Sequence, residues 1–387
     1  MNKKIKIACI TGTRADYPRV KSVLHEIKGR KNFELKLLVT GSHLLKEYGY
    51  SAQEILDDGF IIDKEVPMFK KNYNTPAGMA KAAANCTKGV ASALEELKPD
   101  IVLITVDRVE TLAATVAVSL MNFPIAHIQG GEVTGTIDES IRHAVTKMSH
   151  IHFPATKDAA DRIIMMGEDP SKVFMVGCPY IDIINSSYKK SKKELSLKYG
   201  FSANKPLIIF TQHAVTTEYG KSYKQINTTL RALRTFSDCQ IIAFHSNTDA
   251  GGKEIISAIN NEKNFINIPN MISSDFLSLM ACANAMVGNS SAAIREAPSF
   301  KLPAVNIGSR QQGRLRAYNV IDVSHNEEEI IKALEKALYN NEFIAKVNKT
   351  KNPYGDGKSA KRIADIIEKI PLDNSLIQKR IFYDVWI

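Results

Sequence analysis

The chain has 387 residues, 44% hydrophobic and 24% charged, a globular composition long enough to bury two cores of ordinary size. Its formal net charge of +10 suits an anionic ligand, yet the basic residues are dispersed and no recognition helix, zinc or RNA-binding signature accompanies them, so nucleic acid is not expected. Cys9, Cys86, Cys178, Cys239 and Cys282 stand apart with no pair at metal-ligand spacing, which predicts buried thiols of a reducing, cytoplasmic compartment and no metal. In chain order, Lys4 to Thr11 reads as a strand that ends at Gly12-Thr13-Arg14, with Asp16 capping a helix whose apolar face is Val20, Leu24 and Ile27. Backbone donors at such a helix start favour phosphate, and Arg14 and Arg19 would add charge; plain surface arginines are the alternative. Phe33 to Val39 is the next strand and Met79 to Leu97 a long amphipathic helix.

Ile101 to Thr105 is a buried strand ending at Val106-Asp107-Arg108. A carboxylate at the carboxyl end of a parallel strand stands where such sheets bind ligands, so Asp107 is a functional candidate, with a helix cap as its alternative. The run Thr111 to Ile128 is broken by Ser119, Asn122, Pro124 and His127, so it is a core helix and strand rather than a membrane span. At Gln129-Gly130-Gly131 the strand stops. A helix then begins with Thr136 as N-cap and Glu139 completing a capping box, and Ile137, Ile141, Ala144, Val145 and Met148 form its expected buried stripe. Asp138 and Arg142 share another face, and Glu132 and Asp138 are read as functional while the cap accounts for Glu139. A strand at Ile151 to Pro154, a helix at Lys157 to Met166 and a strand at Val173 to Val176 close the first half.

A Lys- and Ser-rich stretch from Asn185 to Lys205 marks the domain boundary, giving residues 1–185 as one domain, with 370–387 as a candidate completion of it, and 186–369 as the other. The second half repeats the alternation with strands near Leu207 to Phe210, Gln240 to Phe244, Ala285 to Val287 and Ala304 to Ile307. Polar clusters follow them: Thr211-Gln212-His213, His245-Ser246-Asn247, Gly288-Asn289-Ser290-Ser291 and Gly308-Ser309-Arg310. Gly-Asn-Ser-Ser leading into a helix that continues to Glu296 is a cradle for a diphosphate, though an N-cap series would account for one of its serines. His213 is a candidate with a plain loop histidine as its alternative, and Phe276 is either a base-stacking or a core aromatic. The fold class that follows is α/β, two doubly wound Rossmann-like domains facing a central cleft. Neither half has a G-x-G-x-x-G or Walker A loop, so no nicotinamide or ATP cofactor is expected.

Six stretches, Thr11 to Tyr17, His127 to Lys147, Gln212 to Thr217, Asn247 to Gly251, Gly288 to Ser291 and Gly308 to Arg314, occur in an order that resembles the hydrolysing UDP-N-acetylglucosamine 2-epimerases. The resemblance implies a GT-B arrangement, a UDP-sugar substrate, no cofactor, and a homodimer or homotetramer. It implies conversion of UDP-N-acetylglucosamine and water to N-acetylmannosamine and UDP, as in sialic and related nonulosonic acid biosynthesis. It places Arg14, Asn247, Ser290, Ser291, Glu296 and Arg310 at the nucleotide, Arg19 more loosely so, and Asp107, Asp138 and Arg142 at the reacting sugar with His213 by the leaving phosphate. Related enzymes commonly carry Gly at Val106 and Glu at Gln129; Gln129 occupies a catalytic position but cannot take a proton, which then falls to Asp107, Asp138 or Glu132. The same reaction on a 4-acetamido-6-deoxy relative of the sugar, a nonhydrolysing epimerase, and a GT-B glycosyltransferase or UDP-sugar sensor are the other readings. The tail from Ile377 to Ile387 is expected to pack on a domain or a neighbouring subunit, because Phe382, Tyr383 and Trp386 are costly to expose.

Overall fold

The computed structural model describes residues 4–13, 16–46, 50–70, 76–133, 138–186, 189–215, 218, 220–246, 251–269 and 271–383. The chain divides into two compact units. One comprises Met1–Val133, Ile137–Ile183 and Tyr354–Ile387, and the other is built mainly from Ile184–Pro353.

The first unit holds a six-stranded sheet of β1 (Ile5–Thr11), β2 (Phe33–Thr40), β3 (Lys64–Val66), β4 (Ile101–Thr105), β5 (Ile125–Ile128) and β6 (Ile151–Phe153), in the order β3-β2-β1-β4-β5-β6. All its pairings are parallel, and β4 and β5 are buried along their whole length, as expected of strands covered by helices on both faces. Apolar side chains fill a core on each face. The strand order reverses between β1 and β4, and the loops leaving these two strands lie side by side at that point. Val173 to Val176 is not a strand: Val173 makes a single bridge to His152, and Gly177-Cys178-Pro179 turns the chain into the helix Pro179–Ser186.

The second unit repeats the architecture with β7 (Leu207–Thr211), β8 (Gln240–Phe244), β9 (Ile266–Ile268), β10 (Ala285–Gly288), β11 (Ala304–Ile307) and β12 (Val320–Val323), ordered β12-β11-β10-β7-β8-β9. Its reversal falls between β7 and β10. Phe276 is a core aromatic here, edge-on to Phe244 with ring centroids 5.4 Å apart.

The chain returns to the first unit at Tyr354, earlier than residue 370. The helix Ser359–Lys369 buries Ile363, Ala364 and Ile367 in the first core, and Asp182 accepts its opening amides, Ser359 N at 3.0 Å and Ala360 N at 2.7 Å. Further on, the Lys379 ammonium donates to the carbonyls of Thr146, Lys147 and Ser149 at the end of the helix Asp138–Met148 and pairs with buried Glu168 at 2.5 Å. Burial pushes the Glu168 carboxyl up, but hydrogen bonds from His152, Lys147 and Lys379 outweigh it and hold the group at about 2. Lys379→Met strips one cation from Glu168 and three carbonyls of their donor. We expect it to lower unfolding free energy by about 2 kcal/mol in denaturant titrations, below the usual cost of orphaning a buried charge because two partners remain. An unchanged midpoint would mean that the tail contributes nothing to that helix.

Candidate active site

The ends of β4 and β5 are in register, Thr105 opposite Ile128. The residues that follow, Val106 at φ 59° and Gln129 at φ 64°, both adopt the left-handed conformation, an outlier for a β-branched valine. These turns project Asp107 from one strand and Gly130-Gly131-Glu132 from the next. Arg142, on the helix Asp138–Met148, is only 2% exposed and reaches both: one guanidinium nitrogen pairs with Asp107 Oδ2 and the other donates to the Glu132 carbonyl at 2.6 Å. The helix therefore buries Arg142, Val145 and Thr146, with Ser149 buried just beyond its end, whereas Ile141, Ala144 and Met148 of the expected stripe are only half-buried. A guanidinium with two acceptors tolerates burial that an unpaired charge would not. Glu139 lies beside His143 at 3.1 Å and Arg142 at 3.6 Å. Thr136, Ile137, Arg14 and Asn247 lie outside the described residues; Asp138 opens the helix, and its side chain too lies outside them.

Gln129 is buried, and its Oε1 accepts from Arg19 Nη1 at 3.2 Å. The structure thus brings Arg19 to the carboxylate-bearing loops of the first unit. Since the guanidinium can only donate, the amide oxygen faces Arg19 and the amide NH2 points the other way.

Asp16 is not a helix cap. Its carboxylate folds back to accept Gly12 N–H at 2.9 Å and the Thr13 hydroxyl, because a short 3-10 turn at Tyr17–Arg19 delays the α-helix to Lys21. Asp16 and buried Glu110 line one small cavity under this turn. Burial raises the Asp16 carboxyl to about 7; the Gly12 amide opposes the rise and the Glu110 charge adds to it. The unfolded chain holds that proton only below about 4. Protonated Asp16 therefore contributes stability that is full below pH 4 and disappears as pH rises through about 7. Asp16→Asn should flatten the fall in unfolding free energy between pH 5 and pH 8; an identical slope in wild type and variant would rule out this titration.

In the second unit the loops after β7 and β10 are tied together at the reversal point. Asn289 Oδ1 accepts His213 N–H at 2.7 Å, and Asn289 Nδ2 donates to the His213 carbonyl at 2.8 Å. From the loop after β11, Arg310 Nη1 and Gln311 Nε2 donate to the Asn289 carbonyl at 3.2 and 2.9 Å. Gly288, at φ 125°, permits the approach: a Cβ there would lie 2.0 Å from the Thr211 carbonyl oxygen. Ser290, Ser291 and Glu296 frame the helix Ala292–Arg295, the serines half-buried and Glu296 buried. Burial, then the Arg310 charge, pushes the His213 imidazole down to about 3, so near neutral pH it is an uncharged hydrogen-bonding group. The structure thus gathers His213, Ser290, Ser291, Glu296 and Arg310 around one strand-end platform whose organiser, Asn289, had no signal of its own beyond its place in Gly-Asn-Ser-Ser.

The two doubly wound units have the GT-B-like α/β fold. A solved UDP-N-acetylglucosamine 2-epimerase from Neisseria meningitidis, bound to UDP-N-acetylglucosamine, superposes with a TM-score of 0.83 at 21% identity, covering 95% of this chain and 100% of that one. The chain belongs to the UDP-N-acetylglucosamine 2-epimerase family, whose model matches residues 25–368. It is 36% identical over 378 residues to the hydrolysing UDP-N,N'-diacetylbacillosamine 2-epimerase of Legionella pneumophila, covering 97% of this chain and 98% of the relative. It is likewise 36% identical to the hydrolysing GDP/UDP-N,N'-diacetylbacillosamine 2-epimerase of Campylobacter jejuni, covering 88% and 89%. Among the described residues no helix is long and apolar enough to cross a membrane, and no group of His, Cys, Asp and Glu is arranged to hold a metal ion.

Proposed function

We propose that this chain is a hydrolysing 2-epimerase that takes UDP-N,N'-diacetylbacillosamine and water to UDP and the free 2-epimeric sugar. The observation that carries the reading is the Asp107–Arg142–Glu132 constellation at the ends of β4 and β5, in a chain related over 97% of its length to a hydrolysing enzyme for that sugar. Asp107 takes the proton from C2 as the bond from C1 to the UDP oxygen breaks, leaving a C1–C2 double bond. Water then adds its oxygen to C1 and gives up one proton to solvent, while Asp138 or Glu132 acting as the acid delivers a proton to C2 on the opposite face. Arg142 holds Asp107 in place and offsets its charge. Gln129 orients rather than transfers a proton.

Departure of the diphosphate polarises a C2–H bond that is otherwise barely acidic, so charge growing on the leaving oxygens must meet fixed donors. Arg310, Ser290 and Ser291 supply these, joined by Arg14 and Asn247, with neutral His213 donating to the leaving phosphate and Glu296 accepting from ribose hydroxyls. Arg19 acts through Gln129. UDP-N-acetylglucosamine itself is the second reading, favoured by the description of the family to which the chain belongs.

Incubation with each UDP-sugar in turn, followed by chromatography of the nucleotide and sugar products, tests the assignment. Free epimerised sugar and UDP, formed faster from the diacetamido substrate, are expected. An inverted sugar still joined to UDP would reject hydrolysis, and faster turnover of UDP-N-acetylglucosamine would transfer the assignment to that sugar.

A further inference from the structure

Beneath the turns that end β4 and β5 lies His127, fully buried and without a part in the chemistry above. Its Nε2 stands 2.9 Å from the Val106 carbonyl oxygen. A carbonyl only accepts, so Nε2 carries the hydrogen and Nδ1 keeps a lone pair. The Thr146 hydroxyl, 3.3 Å from Nδ1, donates to it. Burial pushes the ring down to about 3, consistent with a permanently neutral imidazole. Gly130 passes directly over it, where a Cβ would lie 2.7 Å from Nδ1.

Both partners of this ring are one step from the candidate chemistry. Val106 precedes Asp107 and holds a left-handed φ of 59° that a β-branched residue adopts only when its surroundings impose it. Thr146 is one helical turn beyond Arg142, the residue paired with Asp107. We propose that His127 is a positioning residue for the reaction: by gripping the Val106 carbonyl from below, it holds the strained turn and so sets the Asp107 carboxylate against Arg142. Released from that bond, the Val106 peptide is free to rotate towards an ordinary backbone conformation and carry Asp107 off the guanidinium. The inference rests on the assignment of Asp107 to proton transfer, and the experiment separates the two.

The amide nitrogen of glutamine reaches the position of an imidazole Nε2, and that of asparagine only the position of Nδ1. His127→Asn therefore loses the Val106 bond while His127→Gln retains it. His127→Asn should lower kcat roughly 10²-fold, the scale of a misplacement of about 1 Å, with UDP affinity by calorimetry unchanged, and His127→Gln should recover most of the loss. Combined with Asp107→Asn, His127→Asn should cost nothing further, because the ring acts through that carboxylate. In a Val106→Gly background, where the left-handed turn is free of Cβ strain, His127→Asn should cost far less than in wild type. Should the His127 variants fold poorly, ring 15N shifts of the wild-type protein still decide: a hydrogen on Nε2 at pH 6 and pH 8 is expected, and one on Nδ1 overturns the proposal. Turnover of His127→Asn at the wild-type rate, or an equal loss in His127→Gln, overturns it while leaving Asp107 its role. Wild-type turnover in Asp107→Asn alone removes the premise and the proposal with it.

Discussion

Asp107→Asn is expected to lower kcat by about 10² or more, the usual scale for removing a positioned acid or base, while UDP affinity stays within about twofold of wild type. The carboxylate leaves a strained turn at the end of β4 and meets a guanidinium that is itself almost fully buried, an arrangement too specific for a surface charge. Asparagine retains one oxygen to accept from Arg142, so the geometry is largely kept and only the capacity to take a proton is lost. Steady-state kinetics beside UDP calorimetry separates the outcomes. A drop in affinity equal to the drop in rate would make Asp107 a binding residue, and undiminished turnover would clear it of the role.

Arg142→Met is expected to abolish measurable turnover and to reduce unfolding free energy by roughly 3 to 5 kcal/mol, the cost of removing one partner from a buried ion pair. Methionine fills much of the same volume, so the loss is electrostatic rather than a cavity. Asp107 would be left without its cation and the Glu132 carbonyl without the donor at 2.6 Å, so both candidate loops loosen together. Arg142→Lys should recover part of the stability and little of the activity, since an ammonium cannot fork between two acceptors. Denaturant midpoints and kcat decide the matter. Stability near wild type in Arg142→Met would show that the pair contributes little.

The sequence was most legible where pattern and covalent identity coincide. Among the described residues, nine strands follow from apolar runs ending in turn residues, and the carboxylates worth examining announce themselves by standing at those ends. The edge strands β3, β9 and β12 escaped because they are only partly buried, so polar residues interrupt the apolar run that marks the equally short but fully buried β5, β6, β10 and β11. Periodicity also misjudged the helix Asp138–Met148: a buried arginine reads as polar until its partners are known, and Asp107 is thirty-five residues away. Asp16 was misread for a similar reason, since an aspartate before a helix suggests a cap and nothing local reveals Glu110 nearby. The helix Ser359–Lys369 is strongly amphipathic, but amphipathicity does not say which core it covers; the domain boundary therefore drifted from Tyr354 to residue 370. The His127 network depends on a backbone angle at Val106, and a valine gives no warning of a positive φ.

The proposed reaction turns on proton removal at C2 followed by hydrolysis. Turnover in D2O, with the released sugar examined by proton NMR, tests it most directly. Free 2-epimeric sugar with deuterium at C2 is expected, with UDP released in equal amount. Product that retains its original hydrogen at C2, or an inverted sugar still attached to UDP, would contradict it.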